Sequence, residues 1–248
     1  MKALTRRVSL VTASSSLFIS LLFISFFPSF EEVFLFLFFS LLVLVLSFRV
    51  FGRLLLYSIL TPAVYVISTF FVFVKFPLLN VPFKIILAAI FTVFYYYSLL
   101  SVNTILVSFI ERKDFPLIRV GKTLIYITTL VTAFLAFTII YKFEYIFLFY
   151  LISVFLVSFG LGLNYFWSQK TEGKYLFESF IIAILVTEVA VALTFFPAEA
   201  FFRALFASSV FYILIGIVEN IFLHRGSVRI YLEYALIFTV VLVLLVLG

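Results

Sequence analysis

Nine apolar stretches, each close to the roughly 20 residues that a helix needs to cross a bilayer, occupy most of this chain. Lipid offers no hydrogen-bond partners to a backbone, so only helices and closed β-barrels cross it. The run Leu41–Leu46, Leu-Leu-Val-Leu-Val-Leu, lacks the apolar–polar alternation of a barrel strand. The sequence therefore predicts an all-α fold, a polytopic transmembrane bundle of nine helices. The predicted spans are Val8–Phe27, Val33–Phe51, Leu54–Val74, Ile85–Ile110, Val120–Tyr141, Tyr145–Trp167, Phe177–Phe196, Ala204–Leu223 and Ile230–Leu247.

The composition is that of a chain surrounded by lipid. Of its 248 residues, 66% are hydrophobic and 11% are charged, whereas a soluble domain carries about a quarter charged residues. The longest connections, Lys75–Lys84 and Glu111–Arg119, are too short to fold as modules of their own. Residues 1–248 are therefore predicted to form a single integral membrane domain in a multi-pass protein of the cell membrane, with membrane lipid as its main neighbour.

The basic residues predict the orientation of the chain. Connections between spans hold most of the 17 Lys and Arg residues, and cytoplasmic connections are the ones in which such residues accumulate. One side holds thirteen of them: Lys2, Arg6, Arg7, Arg49, Arg53, Arg112, Lys113, Arg119, Lys122, Lys170, Lys174, Arg225 and Arg229. The other side holds Lys75, Lys84, Lys142 and Arg203. We therefore expect a cytoplasmic amino terminus and an external carboxyl terminus, and no nucleic-acid partner, because the net charge of +6 follows from topology.

Few residues of the types that bind metals are present. The chain has no Cys, its one His is His224, and its one Asp is Asp114 in a connection. The zinc sites of membrane metalloproteases need two or more His, and intramembrane aspartyl proteolysis needs two Asp within spans. We therefore expect no metal site and no cofactor.

Two glutamates within predicted spans lack a Lys or Arg three or four positions away, the spacing at which a helix pairs opposite charges. They are Glu188 and Glu219, whereas Glu178, Glu199 and Glu233 each have such a neighbour. Glu188 lies close to the middle of its span, where an ionised carboxylate needs a partner or a watery cavity. The alternative is a protonated Glu188 that hydrogen-bonds across a helix interface.

Amides accompany the second glutamate. Asn220 follows Glu219, which lies roughly 8 Å to the inner side of the middle of its span at ~1.5 Å per residue. Asn103 and Asn164 occupy the inner halves of the fourth and sixth spans, as Asn220 does in the eighth. This recurrence indicates either a repeated helical hairpin or amides that are tolerated near helix ends.

A span carboxylate without a local counterion is typical of a proton or cation site. The sequence therefore predicts a small carrier or an ion-coupled permease component. Glu188 is its expected buried ionisable group, and Glu219, Asn220, Asn164 and Asn103 are the residues expected to bind substrate or ion in the inner half.

Two other functions are open to such a chain. One is a non-catalytic structural or assembly subunit, in contact with membrane-protein partners or with further copies of itself. The other is a membrane enzyme that acts on a lipid-linked substrate, for which Glu31 and Glu32 in the first outer connection are the candidate acids. We expect no enzymatic activity otherwise.

Overall fold

The computed structural model describes residues 2–26, 30–48, 53–75, 80–111, 117–143, 147–169, 175–222 and 228–247. Within these ranges the chain forms nine α-helices, so the predicted all-α class and number of helices are confirmed. The helices are α1 (Lys2–Phe26), α2 (Phe30–Phe48), α3 (Arg53–Lys75), α4 (Val81–Glu111), α5 (Leu117–Lys142), α6 (Phe147–Gln169), α7 (Tyr175–Thr194), α8 (Ala200–Phe222) and α9 (Val228–Leu247).

Several helices begin earlier than their apolar stretches. The helix α1 includes the basic residues before Val8, and α8 begins at Ala200 instead of Ala204. The predicted position of Glu31 and Glu32 in a connection is wrong, because both lie in the first turn of α2. Carboxylates are favourable there, since the amino-terminal end of a helix carries a partial positive charge.

The chain divides into two compact units, Met1–Thr129 and Leu130–Gly248, with the boundary inside α5. In the first unit, α1 packs against α2, α3 and α4. Serines join α1 to α2: Ser47 donates to the carbonyl of Ser9 at 3.0 Å and Ser9 to that of Ser47 at 3.2 Å. Such small polar residues allow two helices to approach closely.

In the second unit, α7 packs against α6 and α8, and α8 against α9. Gly162 of α6 lies against α7, because a Cβ there would lie 3.5 Å from the Cα of Ser179. The hydroxyls of Tyr141 and Tyr150 both donate to the carbonyl of Ala190, at 3.1 and 2.9 Å. These contacts fix which side of α7 faces the protein.

All nine described helices are long and apolar enough to cross a membrane, and large apolar side chains cover their outward faces. Only 6% of the apolar stretch of α9 is buried within the chain. Soluble monomers rarely expose apolar surface this extensive, so these outward faces are suited to contact with lipid and not with water. The described part of the chain is that of a multi-pass membrane protein.

The predicted orientation is testable because the chain has no Cys of its own. Glu199 precedes α8 and Glu111 ends α4, and both are exposed. We expect a membrane-impermeant maleimide to label Glu199→Cys on intact cells, and Glu111→Cys only after detergent has opened the membrane. Labelling of Glu111→Cys alone on intact cells would contradict the orientation that the basic residues predict.

Candidate functional site

A polar stripe runs along one face of α8 in the second unit. Its members are Ser208, Ser209, Tyr212, Gly216, Glu219 and Asn220, which recur three or four residues apart and so lie above one another on the helix. Ser208 and Gly216 are buried, and the side chains of the other members are half-buried. The stripe joins the middle of α8 to its carboxyl-terminal end.

Glu219 is held by a tyrosine from α6. The hydroxyl of Tyr165 donates a short hydrogen bond to Oε2 of Glu219. Tyr165 is 2% exposed, so little of its side chain can contact the surroundings of the protein. Gln169, one turn further along α6, is also within hydrogen-bonding reach of that hydroxyl. A hydrogen-bonded path therefore connects the carboxyl group to the carboxyl-terminal end of α6.

A second tyrosine, from α9, lies against the same stripe. Nδ2 of Asn220 donates to the carbonyl of Gly216 at 2.8 Å and lies 3.4 Å from the hydroxyl oxygen of Tyr234. The hydroxyl of Tyr234 lies directly over Gly216, where a built Cβ would approach the Cζ of the ring to 2.5 Å. Glycine is therefore required at position 216 for Tyr234 to reach Asn220.

A cavity of about 260 Å³ adjoins the cluster that the polar stripe forms with Tyr165 and Tyr234. It is shallow and open, and Leu130, Ser208, Ser209, Tyr212 and Ile237 line it. The ring of Tyr212 meets the ring of Tyr234 edge to face, with 5.7 Å between centroids. Tyr212 thus contacts both the cavity and the group of residues around Glu219.

The structure brings only some of the predicted site residues together. Glu219 and Asn220 share the polar stripe, and Asn164 is fully buried on α6 beside Tyr165. Asn103 is half-buried on α4, in the first unit. Glu188 is exposed on α7. The prediction that Glu188 is buried within the chain is therefore wrong. The opposite side of α7 packs against Gly162 of α6 and, through Ala190, against two tyrosines, so Glu188 points outward. Its role in ion binding stays a prediction.

Tyr165, Tyr234 and Gly216 belong to this cluster and were not identified from the sequence. A signal for Gly216 exists, because it precedes Asn220 by one helical turn and interrupts an apolar run. The two tyrosines come from other helices, so no spacing within α8 points to them. Among the described residues, no three His, Asp or Glu side chains are grouped as a metal site would require. His224 lies outside the described residues.

The arrangement is suited to binding a proton or a monovalent cation. A carboxyl group offers oxygen atoms to a cation or a proton, and the hydroxyl of Tyr165 donates to one of these oxygens. Tyr234 and Asn220 add a hydroxyl and an amide close by. The ring of Tyr234 also contacts the ring of Tyr212, which lines the cavity.

Substitution of Gly216 tests the packing of the cluster. Gly216→Ala places a Cβ 2.0 Å from the hydroxyl oxygen of Tyr234, and we expect it to lower the free energy of unfolding by about 1–3 kcal/mol. Gly162→Ala is the matched control, because its Cβ would lie at an ordinary 3.4 Å from that of Ser179. Thermal unfolding in detergent compares the two variants. Equal stabilities would contradict a stabilising contact between Tyr234 and Gly216.

Comparison with known proteins adds a family but no activity. No curated protein and no solved structure matches the chain. Residues 49–248 match the model of a family described as "Protein of unknown function (DUF5656)". This match covers α3 to α9 and with them every residue of the polar stripe and its tyrosine partners. The chain therefore belongs to the DUF5656 family.

Proposed function

We propose that the protein is a small carrier, or a permease component, that couples the passage of a small solute to a proton or monovalent cation bound at Glu219. The observation that carries this proposal is the hydrogen bond from Tyr165 to Glu219, at one end of a polar stripe that leads to a cavity. Lipid-facing helices do not need such a stripe, and polar groups inside a membrane are usually kept for function.

The depth of the cavity supports a solute site. Leu130, Ser209 and Ile237 each lie near the middle of their helices, α5, α8 and α9. If these helices cross the bilayer, the cavity lies near its midplane, where secondary transporters bind their substrates. Its volume of about 260 Å³ fits a small solute. The hydroxyl of Ser209 donates to the carbonyl of Leu205, so it favours a solute that donates a hydrogen bond.

The depth of Glu219 supports an ion site that is loaded from the inner side. It lies about 12 Å from the middle of α8 at ~1.5 Å per residue, toward the carboxyl-terminal end. That distance exceeds the value expected from the sequence because α8 begins at Ala200. With a half-thickness of about 15 Å for the hydrocarbon, the carboxyl group is close to the inner aqueous phase.

Coupling between ion and solute would pass through the tyrosines. An ionised Glu219 only accepts hydrogen bonds, whereas a protonated one also donates. Protonation of Glu219 therefore changes its hydrogen bonding with Tyr165 and its electrostatic interaction with the nearby Tyr234. The ring of Tyr234 in turn contacts the ring of the cavity residue Tyr212. In this proposal Glu219 takes the role that the sequence assigned to Glu188.

The assembly-subunit alternative has an observation of its own in its favour, the exposed Glu188 on the apolar outer face of α7. The enzyme alternative relied on Glu31 and Glu32 as loop acids, and both lie in the first turn of α2. Carrier and assembly roles are compatible, because a carrier can also be a subunit.

Ion binding can be measured without knowing the solute. In proteoliposomes on a solid-supported membrane, a jump in pH or in Na⁺ concentration should produce a transient current as the ion enters the wild-type site. We expect Glu219→Gln to reduce this charge movement at least about tenfold, because an amide binds neither a proton nor a cation as a carboxylate does.

The matched control is Glu233→Gln, which makes the same chemical change at an exposed glutamate of α9 next to Tyr234. It should retain the wild-type current. Size-exclusion profiles would establish that both variants are folded. A wild-type current in folded Glu219→Gln, or no current in the wild type under either jump, would contradict the proposal.

A further inference from the structure

We infer that the outer face of α7 forms a symmetric contact with a second copy of the chain, in which the Glu188 carboxyl groups of the two copies hydrogen-bond each other. The proposed contact is formed by residues of α7, and it is independent of the ion site proposed at Glu219.

The outward direction of Glu188 is set by packing on the opposite side of α7. Ser179 lies against Gly162, and the carbonyl of Ala190 accepts two tyrosine hydroxyls. At 3.6 residues per turn, Glu188 lies about 180° around the helix from Ser179 and about 160° from Ala190. Rotating Glu188 into the protein would break both contacts.

The face on which Glu188 lies is otherwise apolar. Ile181, Ile184, Leu185 and Ala192 surround it on α7, and all are exposed. Glu188 is about 5 Å from the middle of the helix, which leaves about 10 Å to the nearer edge of the hydrocarbon layer. A glutamate side chain is too short to cover that distance, so its carboxyl group needs a partner at its own depth.

A second copy supplies that partner by symmetry. A neutral carboxyl group carries one donor and free acceptor sites, so two of them are complementary to each other. A two-fold axis along the membrane normal brings the same residue of both copies to the same depth, and such dimers are the commonest assemblies. Ala192, one turn from Glu188, is small enough to let the two helices approach. A partner other than a second copy would need a polar group of its own at this depth in the membrane.

The natural absence of Cys makes disulfide trapping a direct test. Ala192→Cys and Leu185→Cys place a thiol on either side of Glu188, and oxidation should yield disulfide-linked dimers in at least one of them. A disulfide needs Cα atoms about 4.4–6.8 Å apart, which only residues at the contact reach. Leu236→Cys is the control, because it is equally apolar and 64% exposed but lies on α9.

Variants of Glu188 then separate a specific contact from random collision. In the Ala192→Cys or Leu185→Cys background, Glu188→Gln keeps a donor and an acceptor and should retain the cross-link. Glu188→Leu keeps the apolar surface and should lower its yield at least about fivefold at a low protein-to-lipid ratio. Equal yields with leucine and glutamine, a cross-link only at Leu236→Cys, or single-copy particles in nanodiscs would overturn the inference.

Discussion

The main physical constraint on this structure is that membrane lipid supplies no hydrogen-bond partners to the protein. Apolar side chains facing lipid gain little from associating with one another, so close packing and hydrogen bonds inside the protein decide how the helices meet. In the first unit Tyr65 donates to the carbonyl of Phe91 at 2.9 Å. In the second, two tyrosines converge on the carbonyl of Ala190. Each such bond crosses from one helix to another, and each therefore fixes the rotation of a helix whose apolar residues alone would permit several.

The same constraint produces the candidate site. Ser208 and Ser209 donate to carbonyls of α8 itself. The residues near the end of α8 also take partners from neighbouring helices: Tyr165 of α6 donates to Glu219, and Tyr234 of α9 lies beside Asn220. Gly216 makes room for one of these partners. The outcome is a group of hydrogen-bonding side chains that extends from a cavity at mid-helix to a carboxyl group near the helix end.

The number and approximate ends of the helices follow from the sequence, because membrane thickness sets the length of each apolar stretch. The direction in which a side chain points does not follow, because apolar residues lie on every side of α7 and no apolar stripe indicates which side faces the protein. Glu188 was expected to be buried and is exposed. Glu178 was expected to form an ordinary ion pair with Lys174 near a helix end, and it is 2% exposed. Lys174 lies outside the described residues. Glu219 and Asn220 were identified because their polarity is visible along the chain, whereas the tyrosines that contact them lie 14 to 54 residues away.

The central claim is that the carboxyl group of Glu219 is hydrogen-bonded to Tyr165 and exchanges an ion there. Infrared difference spectroscopy of the protein in lipid, recorded between acidic and neutral pH, reports the carboxyl stretch of a protonating glutamate. The account predicts a band that Glu219→Gln removes and that Tyr165→Phe shifts to higher frequency, because the carboxyl group loses a hydrogen-bond donor. A band unchanged in both variants would contradict the account.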